Sequence, residues 1–168
     1  MRGNDKELVR LRVLVSAYAC EPDCGSEPGV GWNCVRQVGR FHEAWVITRA
    51  NNRGSIEGAL AMDPSPNLHF VYFDLPHWMR FWKKGRRGIN LYYYLWQIGA
   101  YLTGRKLHRD LRFDLAHHVT FAKYWIPSFL PLLPVPSCGD RWAAGCRHRA
   151  ASGPRLVWGV RFMRSYGT

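Results

Sequence analysis

Between Cys20 and Trp32 the chain reads Cys-Glu-Pro-Asp-Cys-Gly-Ser-Glu-Pro-Gly-Val-Gly-Trp, directly after the apolar run Val13-Leu14-Val15-Ser16-Ala17. Glycine allows a close backbone approach that a Cβ would block. A helix starting here would offer first-turn N–H groups and a positive dipole end to an anion or a sugar hydroxyl. The turn from first strand to first helix is a habitual ligand position in open α/β sheets. The stretch from Gly25 to Gly31 is therefore a candidate binding loop, with a purely structural loop as the competing reading. Gly25, Gly29 and Gly31 do not make GxGxxG, so the spacing is not that of a dinucleotide site. Cys20 and Cys24 lack a second Cys/His pair at ligand spacing within residues 1–136, and no metal is expected.

The elements that must hold this loop follow from the hydrophobic pattern. Arg12–Ala17, Ala44–Thr48 and Leu68–Phe73 read as short buried strands, and Leu115-Ala116 as a fourth. Helices are expected over Gly31–Val38, ended by Gly39, over Ser55–Ala61, and over Ile89–Arg109. Asn51-Asn52-Arg53-Gly54 is a turn cluster. Strands alternating with helices at these lengths predict an α/β fold, a parallel sheet with flanking helices.

The chain has 168 residues, 47% of them hydrophobic, which fits one domain with a real core. The net charge is +12, from 24 Lys+Arg against 12 Asp+Glu, and invites an anionic partner. Five Cys, an odd count, with no apolar leader after Met1-Arg2-Gly3-Asn4-Asp5, predict a reducing, cytoplasmic setting. From His77 to Arg109 aromatics alternate with cations: Trp78, Phe81 and Trp82 stand among Arg80, Lys83, Lys84, Arg86 and Arg87. Tyr92-Tyr93-Tyr94-Leu95-Trp96 follow, and then Arg105, Lys106, His108 and Arg109. Such a pairing suits an anionic membrane surface, where rings sit at headgroup depth. A core helix with a solvated basic rim uses the same residues. The apolar part is too short and polar to span a bilayer. Nucleic acid is not expected as a partner, because the aromatics cluster at helical spacing rather than along a sheet face.

Four blocks occur in order: Val13 to Pro22; Gly25-Ser26-Glu27-Pro28-Gly29-Val30-Gly31-Trp32; Thr48-Arg49-Ala50-Asn51-Asn52-Arg53; and Phe113-Asp114-Leu115-Ala116-His117-His118-Val119-Thr120. Together they resemble the N-terminal domain of family 4 glycosyltransferases, from about Arg12 to Pro136. The resemblance implies the Rossmann-like N-terminal half of a GT-B enzyme, the half that mostly holds the acceptor. It implies retaining transfer of a sugar from a nucleotide-sugar to a glycan or lipid-linked acceptor, with no further cofactor. It places Gly25, Ser26, Glu27, Gly29 and Gly31 at the donor phosphate, and Asn51, Asn52 and Arg53 near acceptor or donor hydroxyls. It makes His117, with His118 beside it, the cleft-facing histidine after a strand, where a neutral imidazole hydrogen-bonds the reacting sugar without adding charge.

Two departures from that family stand out. Its paired glutamates, seven residues apart in the donor domain, have no counterpart among the Glu of this chain. After Pro136 the family pattern would continue as a strand and Gly-rich loop like Phe-Ile-Trp-Gly-Pro-Val-Gly-Gly-Gly, whereas here Ser137-Cys138-Gly139-Asp140-Arg141-Trp142-Ala143-Ala144-Gly145 stands. Back-translated with GC-rich codons and reread with one base restored in front, this becomes Phe-Val-Trp-Gly-Pro-Val-Gly-Gly-Gly. The expected organisation is thus a glycosyltransferase domain over 1–136 and an out-of-frame, poorly packed tail over 137–168. That tail carries six Arg against one Asp, so +5 of the +12 says nothing about a partner. A domain lacking the donor half is expected to be inactive alone. The alternative is a non-catalytic sugar-binding or membrane-surface module.

Overall fold

The computed structural model of the chain describes residues 9–76, 89–119 and 128–139. The basic part of the aromatic segment, 77–88, and the tail from 140 onward lie outside the described residues.

The elements run β1 Arg12–Ser16, α1 Ser26–Phe41, β2 Glu43–Thr48, α2 Arg53–Met62, β3 Leu68–Tyr72, α3 Ile89–Leu111, β4 Leu115–His118 and β5 Ser137–Gly139. One-turn 3-10 helices occupy Ala50–Asn52 and Leu130–Leu132. The five strands form one sheet in the order β3-β2-β1-β4-β5, and every pairing is parallel. This is a Rossmann-like α/β fold, with helices covering both faces of the sheet.

Side-chain alternation along the strands sorts the core into two layers. Val13, Val15 and Ala17 join Ala44 and Val46 under Trp32 and Val35 of α1 and Ile56 of α2. Leu14, Ile47 and Ala116 face the other way, under Tyr92, Tyr93, Trp96 and Ala100 of α3. Both faces of the central strands are covered, which is why β1 reads as an unbroken apolar run rather than an alternating one. Tyr92, Tyr93 and Trp96, part of the aromatic stretch with a membrane reading, are core residues of α3.

α1 begins at Ser26, before the expected Gly31, and runs past Gly39 to Phe41. Pro28 sits in its first turn, where a missing N–H breaks no intrahelical bond. Gly39 lies where a Cβ would collide with the side chain of Leu68, so the glycine serves packing and not termination. β5 crosses the expected boundary after Pro136, its Ser137 and Cys138 pairing with Ala116 and His117. An edge strand is held by backbone bonds, here extended by Ala116 N–H donating to the Pro136 carbonyl at 2.9 Å, and so depends little on side-chain identity.

Candidate functional site at the carboxyl ends of the central strands

The chain leaves β1 toward β2 and β3 on one side of the sheet, whereas β4 and β5 lie on the other. The carboxyl ends of β1 and β4 therefore flank the switch point where such sheets form a ligand crevice. The Gly-rich loop follows β1, and His117 and His118 close β4.

The loop is strained and tightly built. Asp23 and Ser26 both take positive φ, 56° and 62°, a region that non-glycine residues seldom visit. Gly25 is the N-cap of α1, with φ −71° and open space around an imagined Cβ, so neither its backbone nor its surroundings demand glycine. Gly29 is different: a Cβ there would overlap the Cys24 carbonyl oxygen, and only glycine lets the loop fold back on the helix. The Glu21 N–H donates to the Pro28 carbonyl at 3.1 Å and closes the same loop. Gly29 and Gly31 are buried within the helix, so the amides outside the intrahelical ladder belong to its first turn, around Gly25, Ser26 and Glu27. Glu27 already places a carboxylate in that turn, where it offsets the dipole that an anionic ligand would use.

Glu21 reaches from the loop to α2, accepting a hydrogen bond from Ser55 Oγ at 3.0 Å. Cys20 is buried and its thiol is pushed up to about 12, chiefly by desolvation, which leaves it an inert packing residue. Among the described residues no cluster of His, Cys, Asp or Glu could hold a metal ion.

The two histidines part company. Both belong to β4 rather than following it, so their side chains take opposite faces. His117 is half-buried and pairs in register with Val15, on the face of α1 and α2. His118 pairs with Ser16 on the α3 face and is 7% exposed. Its Nε2 lies 3.4 Å from the Tyr93 hydroxyl, which accepts a hydrogen bond from Gln97 Nε2 at 2.7 Å. Tyr93 and Gln97 are fully buried, and burial raises the Tyr93 hydroxyl well above its ordinary value. His118 is thus tied into the core and His117 is the more accessible of the two.

The Asn51-Asn52-Arg53 cluster also divides. Asn51 is exposed. Asn52 is buried, its Nδ2 donating to Thr48 Oγ1 at 3.2 Å and to the Tyr18 carbonyl at 3.5 Å, so it latches β2 to the loop after β1. Arg53 is an exposed ion-pair partner of Glu57 at 2.7 Å, over the ring of Tyr72. Asn52 and Arg53 bond to other partners than the histidines.

Two neighbouring residues were not singled out from the sequence. Arg49, directly after β2, donates from Nε to the Tyr18 carbonyl at 3.2 Å, and its guanidinium lies 4.5 Å over the Tyr18 ring. Tyr18 in turn meets Tyr93 edge-on at 5.0 Å and Trp96 at 5.1 Å. Burial raises the Tyr18 hydroxyl, while the Arg49 charge pulls it the other way. The rule that ligands gather at strand carboxyl ends could have found Arg49; Tyr18 needed the tertiary structure. A groove of about 700 Å³ runs along α1 beside the Asp63–Asn67 turn, with Trp32 in its wall and Arg36 paired to Asp63 across it. It lies mainly on the helical flank and reaches Pro22 and Asp23 of the loop at one end.

No protein-family model and no curated protein matches this chain. What the geometry establishes is a parallel Rossmann-like sheet whose switch point carries a strained glycine-rich loop and a strand-end histidine pair, with a stacked arginine one strand away.

Proposed function

We propose that residues 12–136 are the acceptor-side domain of a retaining family 4 glycosyltransferase of the GT-B type, working at the cytoplasmic face. The observation that carries this reading is the convergence of the Gly25–Gly31 loop and the His117-His118 strand end on one switch point of the sheet. Retaining transfer breaks a sugar–phosphate bond and makes a sugar–oxygen bond through an oxocarbenium-like state. The domain's share of that work is to position the acceptor hydroxyl and to complete the polar wall around the departing diphosphate. In this reading His117 hydrogen-bonds the reacting sugar, and the first turn of α1 approaches the donor phosphate. The donor nucleotide-sugar itself is held by a second domain, separate from residues 12–136.

The test is to restore one base before Ser137 and express the chain read onward in that frame. The extended protein is expected to transfer sugar from a nucleotide-sugar panel, and the 168-residue chain to show no turnover. Transfer by the short chain, or a downstream frame without a donor domain, would sink the reading.

One observation favours a membrane-surface role. On α3, Leu91, Tyr94 and Leu102 are exposed, 51%, 40% and 56%, with half-buried Ile98 between them and exposed Arg105, Lys106 and Arg109 beyond. At 3.6 residues per turn these positions share one stripe, apolar then basic. No helix among the described residues is long and apolar enough to cross a membrane. Binding to anionic vesicles is expected to weaken as salt rises, since each surface cation contributes about 1 kcal/mol. Equal binding to neutral vesicles would remove this role.

A further inference from the structure

Two arginines among the described residues are half-buried, Arg36 and Arg49. A cation withdrawn from water ordinarily finds a carboxylate. Arg36 does, pairing with Asp63. Arg49 does not: among the described residues its guanidinium engages Tyr18, donating from Nε to the Tyr18 carbonyl, lying over the ring and interacting with the hydroxyl, and pairs with no carboxylate. The nearby carboxylate of Asp74 is engaged elsewhere, accepting from the Tyr92 hydroxyl and from the Leu75 amide at 3.0 Å.

We propose that Arg49 is an oxyanion-binding residue that reads a phosphate or carboxylate group on the molecule entering the crevice. The site is built for it. Nε is anchored, so the guanidinium plane is held, and its terminal nitrogens, which meet Tyr18 but no carboxylate, can grip an oxyanion. The platform beneath is rigid: Tyr18 is 4% exposed and braced edge-on by Tyr93 and Trp96, and Asn52 holds the same Tyr18 carbonyl. A side chain immobilised before binding loses little freedom when the ligand arrives. Arg49 also follows β2 at the carboxyl edge of the sheet, one strand from the switch point, whereas Arg12, Arg36 and Arg53 are each taken up in an ion pair. The inference deepens the transferase reading by making the acceptor an anionic one. It does not need sugar transfer to be tested.

The experiment is an NMR titration of the 168-residue chain with inorganic phosphate and, separately, with acetate, following the Arg49 Nε–H signal. Phosphate is expected to move that signal saturably, and acetate to do so more weakly if the group read is a phosphate. Stronger binding of acetate assigns a carboxylate. Arg49→Met is expected to weaken binding by about tenfold or more, and Arg49→Lys, which keeps the charge and loses the fork, nearly as much. The wild-type signal reports even where a variant folds poorly. An Arg49 signal that neither anion moves, or phosphate binding of equal strength in a folded Arg49→Met, overturns the proposal. Phosphate binding with no sugar transfer by the frame-restored protein would leave the arginine site standing and reject the transferase reading alone.

Discussion

Replacing Trp96 with alanine is expected to destabilise the domain by about 3–5 kcal/mol, most or all of what holds a domain of this size folded. Trp96 is fully buried at the centre of the α3 face, packed against Tyr18 and Phe73. Its indole Nε1–H donates to the Phe73 carbonyl at 3.0 Å, so truncation opens a cavity and leaves a half-buried acceptor without its donor. Trp96→Phe keeps most of the volume and loses the hydrogen bond, and is expected to cost about 1–2 kcal/mol. Urea denaturation of the two variants separates the contributions. A loss below about 1 kcal/mol for Trp96→Ala would mean that α3 is not docked on the sheet as described, since burial of this extent cannot be removed so cheaply. The consequence reaches the crevice. Trp96 braces Tyr18, Tyr18 carries Arg49, and Tyr93 one turn earlier meets His118. Loss of α3 packing should therefore loosen anion binding before the sheet itself melts.

The sheet was legible because its strands are apolar runs separated by glycine, proline and polar clusters, and Ile89 was recognisable as the start of a long helix. The errors share a cause. Gly29, Gly31 and Gly39 count against a helix by intrinsic propensity, about 1 kcal/mol each, yet α1 runs through all of them. Close contacts with the Cys24 carbonyl and with Leu68 explain two of the three, and no sequence window contains those contacts. His117 and His118 read as the first loop residues after β4 because polar pairs seldom continue a buried strand. Backbone pairing with Val15 and Ser16 on one side and with β5 on the other carries the strand through them. That single extension sends the two side chains to opposite faces. At the site, the loop and the strand end could be located from the sequence. The division of Asn51, Asn52 and Arg53 among solvent, core and a surface ion pair could not, because it depends on which way a 3-10 turn rolls.

In the frame-restored protein, His117→Ala is expected to lower the transfer rate by about a hundredfold or more, while His118→Ala is expected to act mainly on stability. The difference follows from the face each residue takes. His117 is half-buried at the carboxyl end of β4, on the side of α1, whose first turn forms the other wall of the crevice. A preorganised hydrogen bond made to the transition state is worth about 2.7–4 kcal/mol when removed. His118 lies on the α3 face against the Tyr93 hydroxyl, which Gln97 orients. Its loss leaves buried polar groups short of a partner, at a cost of roughly 1–3 kcal/mol, and should lower the melting temperature with little change in rate per folded molecule. Rate and melting temperature measured together on both variants decide the matter. A His117→Ala protein that keeps its turnover while folded would mean the imidazole only packs against α1, and the histidine would leave the mechanism. A His118→Ala protein that melts like wild type but loses its rate would exchange the two roles, and would place the reacting sugar on the α3 side of the sheet, next to Tyr18 and Arg49.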